Sequence, residues 1–315
     1  MLHMRMITPS DRTDAVVAIV EKTVGTTHLV VLRDAARVPR GDLVLCDVAR
    51  EAGDELLREL RALGIDEDGS ITVDDIDLSL SKRAEAAEEE APGEAADAVL
   101  WEQLTEATHE ESTLTFTYAA FMVLATMIAA CGVVLDNAIL IVGAMAVGPE
   151  FGPLAGVCTA AVRRSLKPAA RSLLALIVGF TVAIAATTLF TLVMDAFGLF
   201  DRGMLENPRP NTSFIWQPDP FSFVVALLAG VAGVLSLTSA KSGALVGVAI
   251  SVTTVPAAAN AAVALGYGEI AQMWGSAVQL LLNLVGIMLA GVATLLAQKL
   301  LWRTQRGRWR RAPSS

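Results

Sequence analysis

The chain has 315 residues, 54% of them hydrophobic, with a mean hydropathy of +0.54 and a formal net charge of −9. Residues 1–112 hold 26 of the 33 acidic but only 11 of the 24 basic residues, net −15, and the remainder is net +6. An acidic segment argues against nucleic acid as a partner, because phosphate binding needs concentrated Lys and Arg. The three cysteines, Cys46, Cys131 and Cys158, form neither a disulfide framework nor a metal-ligand spacing.

Leu2–Ile7 alternates like a strand, and Ser10 or Asp11 is placed to cap a helix running to about Thr23. His28–Leu32 and Leu43–Val48 are short strand candidates, separated by the polar stretch Arg33–Asp42. Asp54–Leu63 reads as a second helix stopped by Gly64, and Ile71–Leu80 alternates again. The order β-α-β-β-α-β is that of a ferredoxin-like sandwich over 1–80, without a catalytic set. No cleavable signal peptide is expected, since Met1–Ile7 is short and polar residues follow at once. Residues 81–113 read as an acidic Ala/Glu-rich tether containing Pro92-Gly93, then an interfacial helix from Ala98 to Glu111 with Trp101 suited to the membrane surface.

Six apolar spans are predicted in 114–301, at roughly 114–135, 138–162, 170–199, 221–239, 243–265 and 274–301. Arg163, Arg164, Lys167 and Arg171 follow the second span, Lys241 the fourth, and Arg303, Arg306, Arg308, Arg310 and Arg311 lie in the basic tail 302–315. The opposite side has only Arg202 and Arg209, beside Asp201, Glu206 and Asp219. The positive-inside tendency puts both termini in the cytoplasm and the chain in the inner (plasma) membrane. Gly143-Ala144-Met145 in span two resembles Gly243-Ala244-Leu245 in span five, each followed by a proline, Pro153 or Pro256. The expected fold class is an α-helical polytopic membrane protein, a 3+3 inverted repeat with broken helices, carrying an N-terminal α+β ferredoxin-like domain.

The hexapeptide Gly148-Pro149-Glu150-Phe151-Gly152-Pro153 concentrates the chemistry. A carboxylate at bilayer depth is costly and normally faces a protein interior or a watery cavity. Two readings fit Glu150: an acceptor for a proton or cation, or a structural group that caps a helix or pairs with an arginine such as Arg163. The break at 148–153 and its counterpart at 251–256 are either ligand-exposed backbone or packing kinks. The predicted ligand-binding set is Glu150, Gly148, Pro149, Gly152, Pro153, Thr253, Thr254, Pro256, Asn260 and Asn283. For Asn260 and Asn283, hydrogen bonding between helices is the competing role. Asp136-Asn137 reads as a solvated outer turn, and His3, His28 and His109 as too dispersed for a metal site. No Walker loop, dinucleotide fingerprint or nucleophile–base signature is present, so neither an enzyme nor an ATP-driven pump is expected, and no cofactor is indicated.

Gly143, Ala144, Met145, Pro149, Gly152 and Pro153 fill the pattern G-A-M-x-x-x-P-x-x-G-P, and Gly243, Val246, Gly247, Val248, Ala249, Ile250 and Pro256 fill a later element. On these motifs the chain resembles the uncharacterised bacterial membrane family catalogued as domain of unknown function 389. It departs at Glu150, where the family usually has an apolar residue, and at Ala257, where a second proline is frequent. The resemblance implies architecture but no activity. Two functions follow as expectations: a membrane transporter or channel for a small solute or ion, or a membrane-anchored metabolite sensor whose N-terminal domain binds a small, possibly nucleotide-like ligand without transport. The partners expected are that ligand, the lipid bilayer and further copies of the chain in a homo-oligomer.

Overall fold

The computed structural model describes residues 1–76, 78–91, 99–238 and 253–309, which form two compact units. One is built mainly from Met1–Gln103, the other mainly from Leu104–Leu237 and the last two helices.

In the first unit β1 (Leu2–Thr8), α1 (Thr13–Lys22), β2 (Thr26–Arg37), β3 (Arg40–Val48), α2 (Arg50–Ala62), the one-turn α3 (Ile65–Asp68) and β4 (Ser70–Asp75) follow in order. The strands make one antiparallel sheet, β2-β3-β1-β4, so β3 lies between β1 and β2, and β1 between β3 and β4. Leu2, Met4 and Met6 of β1 and Val44, Cys46 and Val48 of β3 point to one face, where Val16 and Val20 of α1 and Leu56, Leu57 and Leu60 of α2 cover them. Strand period two and helix period 3.6 thus meet in one core. Gly64 ends α2 in the left-handed region, at φ 70°.

Four expectations for this unit need correction. The strand expected over Ile71–Leu80 ends at Asp75, and Leu78 and Leu80 are exposed. Neither Ser10 nor Asp11 caps α1; Arg12 holds the N-cap position and makes no side-chain cap bond. Arg33–Asp42 is not a loop, because β2 and β3 continue through it to pair Ala36 with Gly41 and Arg37 with Arg40. Buried Asp42 ties this hairpin together, accepting from the Asp34 N–H at 2.9 Å, Arg33 at 3.0 Å and Ser10 at 3.1 Å. Finally, the supposed tether begins with a helix, α4 (Lys82–Glu90), capped by Ser81 and burying Ala84 and Ala87. Residue 77 and the Pro92-Gly93 stretch at 92–98 lie outside the described residues. Folding also brings the dispersed His3 and His28 together, each Nδ1 lying 2.7 Å from an oxygen of Asp47.

The second unit is all helix: α5 (Trp101–Glu111), α6 (Phe116–Val134), α7 (Ala138–Val147), α8 (Phe151–Arg163), α9 (Leu166–Ala196), the short α10 (Arg202–Glu206), α11 (Pro220–Thr238), α12 (Thr254–Tyr267) and α13 (Ile270–Trp309). Among the described residues, four helices are long and apolar enough to cross a membrane: α6, α9, α11 and the Ile270–Leu301 part of α13. The pair α7 and α8, bent by 53°, makes a fifth if it is one span. Their outward side chains, among them Ile139, Leu174, Leu189, Leu228 and Leu289, are exposed and apolar, as suits a bilayer and not water. α12 has 14 residues, about 21 Å of helix against a hydrocarbon thickness of about 30 Å. Residues 239–252, with Lys241 and most of the second repeat motif, are outside the described residues, as are Arg310 and Arg311.

α12 is the hub of this unit. Every residue from Thr254 to Ala264 is buried, in contact with α6, α7 and α9. Its alanines explain the position: side chains this small let neighbouring helices approach closely on all sides. Val255, Ala257, Ala259, Val263 and Ala264 belong to one apolar cluster with α6 and α7, while Ala258 joins a second with Met122, Leu154, Phe180 and Ile287.

Candidate functional site

α7 starts cleanly because the Asn137 side chain accepts from the N–H groups of Ile139 and Leu140, at 3.0 and 3.3 Å. It ends at Val147, and α8 starts at Phe151, so Pro149 lies between helices. Pro153 is the third residue of α8, where its missing N–H removes no intrahelical bond. Pro256 is likewise the third residue of α12. The two prolines therefore begin helices, and two helix N-termini are available to one site.

Those N-termini meet at Glu150. The residue is 4% exposed and holds the N-cap position of α8 without a side-chain cap bond. Its Oε1 accepts from the Thr254 hydroxyl, the first residue of α12, at 2.7 Å. Its Oε2 is buried and has no hydrogen-bond partner among the described residues. The capping and Arg163-pairing accounts of Glu150 do not describe this geometry: Arg163 donates instead to Thr105, at 2.6 Å. Helix N-termini carry partial positive charge, which favours a carboxylate at this point. Gly148 makes the conformation possible, since a Cβ there would lie 2.3 Å from Glu150 Oε2 and 2.8 Å from the Val255 side chain. Gly152 serves a different approach, with a would-be Cβ 2.5 Å from the Glu111 side chain.

Asn283 of α13 donates to Thr253, at 2.9 Å, so Thr253 and Thr254 join the third helix to the carboxylate. Asn260 lies elsewhere. It accepts from Arg209 at 2.9 Å and donates to Ser276 at 2.8 Å, and Arg209 also donates to Gln272 at 2.7 Å. Arg209, expected in an outer loop, is 5% exposed. Burial pulls its affinity for the proton down, and nearby Asp136 opposes that. Asp136 is no free loop residue either, accepting from Thr212 at 2.8 Å and from the Asn211 side chain at 2.9 Å. Burial works against its ionisation, but these hydrogen bonds win and hold it below the usual carboxylate range.

Between these clusters lies a residue not singled out from sequence. Gln279 is fully buried, and neither its amide nitrogen nor its oxygen has a partner among the described residues. Antiparallel pairing of Asn260 with Ser276 and Thr253 with Asn283 sets Gln279 midway along the α12–α13 seam. Gln272, Ser276, Gln279 and Asn283 are spaced 4, 3 and 4 residues apart, one face of a helix. That spacing was the available signal: a polar stripe inside an apolar span. Buried polar atoms without partners are rare and costly. Three occur here among the described residues, one on Glu150 and two on Gln279.

Residues 145–289 match the family model described as Domain of unknown function (DUF389). An archaeal protein, Uncharacterized protein MJ0678 of Methanocaldococcus jannaschii, is 26% identical over 206 residues, covering 65% of this chain and 61% of its own. The match therefore spans less than two thirds of that relative. No solved structure matches the chain. The matched region contains α8, α12 and the whole polar stripe, and the model that fits residues 145–289 is that of the family which the motif at 143–153 resembles, DUF389.

Proposed function

We propose that the protein is a non-catalytic membrane transporter or channel for a small solute or ion. Its site lies where α8 and α12 begin, and Glu150 is the coupling group. The reading rests on one observation above the others: a buried carboxylate with one oxygen bonded to Thr254 and the other left open. Two helix N-termini already balance one negative charge, so the open oxygen suits a proton, a small cation or a hydrogen-bond donor on a solute. Changing its protonation changes the cost of exposing it to either side, which is sufficient for coupling.

In this reading the membrane part has six spans in two inverted halves, with Pro153 and Pro256 in corresponding positions. The N-terminal unit is a cytoplasmic ferredoxin-like sandwich, both termini are cytoplasmic, and copies associate through the Gly-rich helices.

Flux assays in proteoliposomes, run across a panel of ions and metabolites with a pH gradient, test this. Wild-type flux should depend on pH, and Glu150→Gln should abolish that dependence. A pH dependence that survives the substitution removes Glu150 from the mechanism. Ligand stabilisation of wild-type and Glu150→Gln protein to the same extent, without flux, turns the reading toward a sensor.

A further inference from the structure

A cavity of ≈ 240 Å³ lies among α5, α8 and α9, lined by Arg163, Arg171, His109, Thr159, Ser172 and Ser165, with Gly156 and Ser112 also in its wall. It is separate from the Glu150 site in its lining, and nothing in the transport reading uses it. Its chemistry is that of an anion cradle. Arg171 donates to Thr113 at 2.8 Å and contacts His109 Nε2 at 2.7 Å, and no carboxylate is among its partners in the described residues. That leaves further donors on a group with five N–H bonds. Thr159 is 2% exposed, and its hydroxyl has no partner among the described residues. An open hydroxyl in a cavity walled by two guanidinium groups calls for an acceptor. The N-terminus of α9 opens onto the same space, since Ser165 holds the N-cap position and makes no side-chain cap bond. Gly156 lets the helices close around it, because a Cβ there would lie 2.4 Å from Ser112 Oγ and 2.5 Å from Ser172 Oγ. The lining carboxylate, Glu106, is exposed, where water screens it.

We propose that this cavity binds a phosphate group, with Arg171 and Arg163 as its cationic partners and the Thr159 hydroxyl as its buried donor. Guanidinium forks suit phosphate oxygens, and a helix N-terminus adds partial positive charge. The cavity holds one phosphate with its water, and the phosphate belongs either to a lipid headgroup or to a free anion.

The test uses the full-length protein in phosphatidylcholine nanodiscs, with thermal stability as the readout. One arm adds inorganic phosphate against chloride at matched ionic strength; the other replaces part of the lipid with phosphatidic acid. Stabilisation in the first arm alone identifies a soluble anion, and in the second alone a headgroup; either result supports the site. Arg171→Gln should weaken the apparent affinity roughly tenfold or more, and Thr159→Val, which keeps the packing, roughly threefold. Lys167→Gln, an exposed neighbour outside the lining, and Glu150→Gln should leave it unchanged. No stabilisation in either arm overturns the proposal, as does an equal loss in Lys167→Gln, a loss in Glu150→Gln, or an effect of Arg171→Gln without one of Thr159→Val.

Discussion

Asp42 and Glu150 are both buried carboxylates, one in each unit, and their surroundings differ in kind. Asp42 accepts hydrogen bonds on both oxygens, from a backbone N–H, an arginine and a serine. The Asp34 N–H leads the groups that hold its pKa down at about 2. Glu150 has one bond on one oxygen, in the middle of an apolar bundle. Saturated polar groups rigidify a fold, whereas a half-saturated one is a standing cost that a fold of purely structural purpose has reason to lose. The difference separates a carboxylate whose two oxygens are bonded within a hairpin from one that keeps an oxygen without a partner among the described residues.

The largest effect expected from breaking this comparison is at Asp42. Asp42→Ala strands the Asp34 N–H and Arg33 and should cost about 2–3 kcal/mol. Hydrogen exchange should rise across β2 and β3 and stay unchanged in α6 and α9. The same group gives a pH signature. Its folded pKa of about 2 lies below the unfolded value of about 3.9, so its contribution is complete above about pH 4 and disappears as pH falls toward 2. Hairpin protection factors, taken relative to the intrinsic exchange rate at each pH, should fall over that acid window in wild-type protein, and the Asp42→Asn protein should lack that component.

Thr254→Val removes the one bond Glu150 has and should lower stability by about 1–3 kcal/mol, with Thr254→Ser nearly silent. A double-mutant cycle with Glu150→Gln measures the coupling; zero coupling means the two side chains do not depend on each other. Smallest is Gln279→Leu. Because both polar atoms of Gln279 lack partners, an apolar replacement of similar size should be neutral or stabilise by about 1 kcal/mol or less. Reduced flux in that variant, with stability kept, makes the amide part of the passage; a clear loss of stability means it has a partner in solution.

Local pattern was enough for several elements. Alternation marked β1 and the start of β4, a short apolar run marked β3, Gly64 marked the end of α2, and continuous apolar runs marked α6, α9, α11 and α13, because period and chain length are properties of a segment by itself. The buried carboxylate at the helix break was equally legible, since a charge in an apolar run stands out without any knowledge of its neighbours. The long β2–β3 hairpin was not: the polar residues 33–42 look like a loop until Asp42 collects their hydrogen bonds. The α4 helix was hidden for the same reason, its buried face being alanine, which a composition rich in Glu disguises.

Sequence by itself determined that this protein has an acidic α/β unit followed by apolar helices, and that Glu150 sits at a break. Only the tertiary structure decided which atoms face one another. It joined Glu150 to Thr254 and Asn283 to Thr253, sent Asn260 to Arg209, and left Gln279 and Thr159 open. The physical reason is range. Helix formation follows from neighbours three and four residues apart, but satisfaction of a buried polar atom depends on groups a hundred residues away that arrive only when the helices pack.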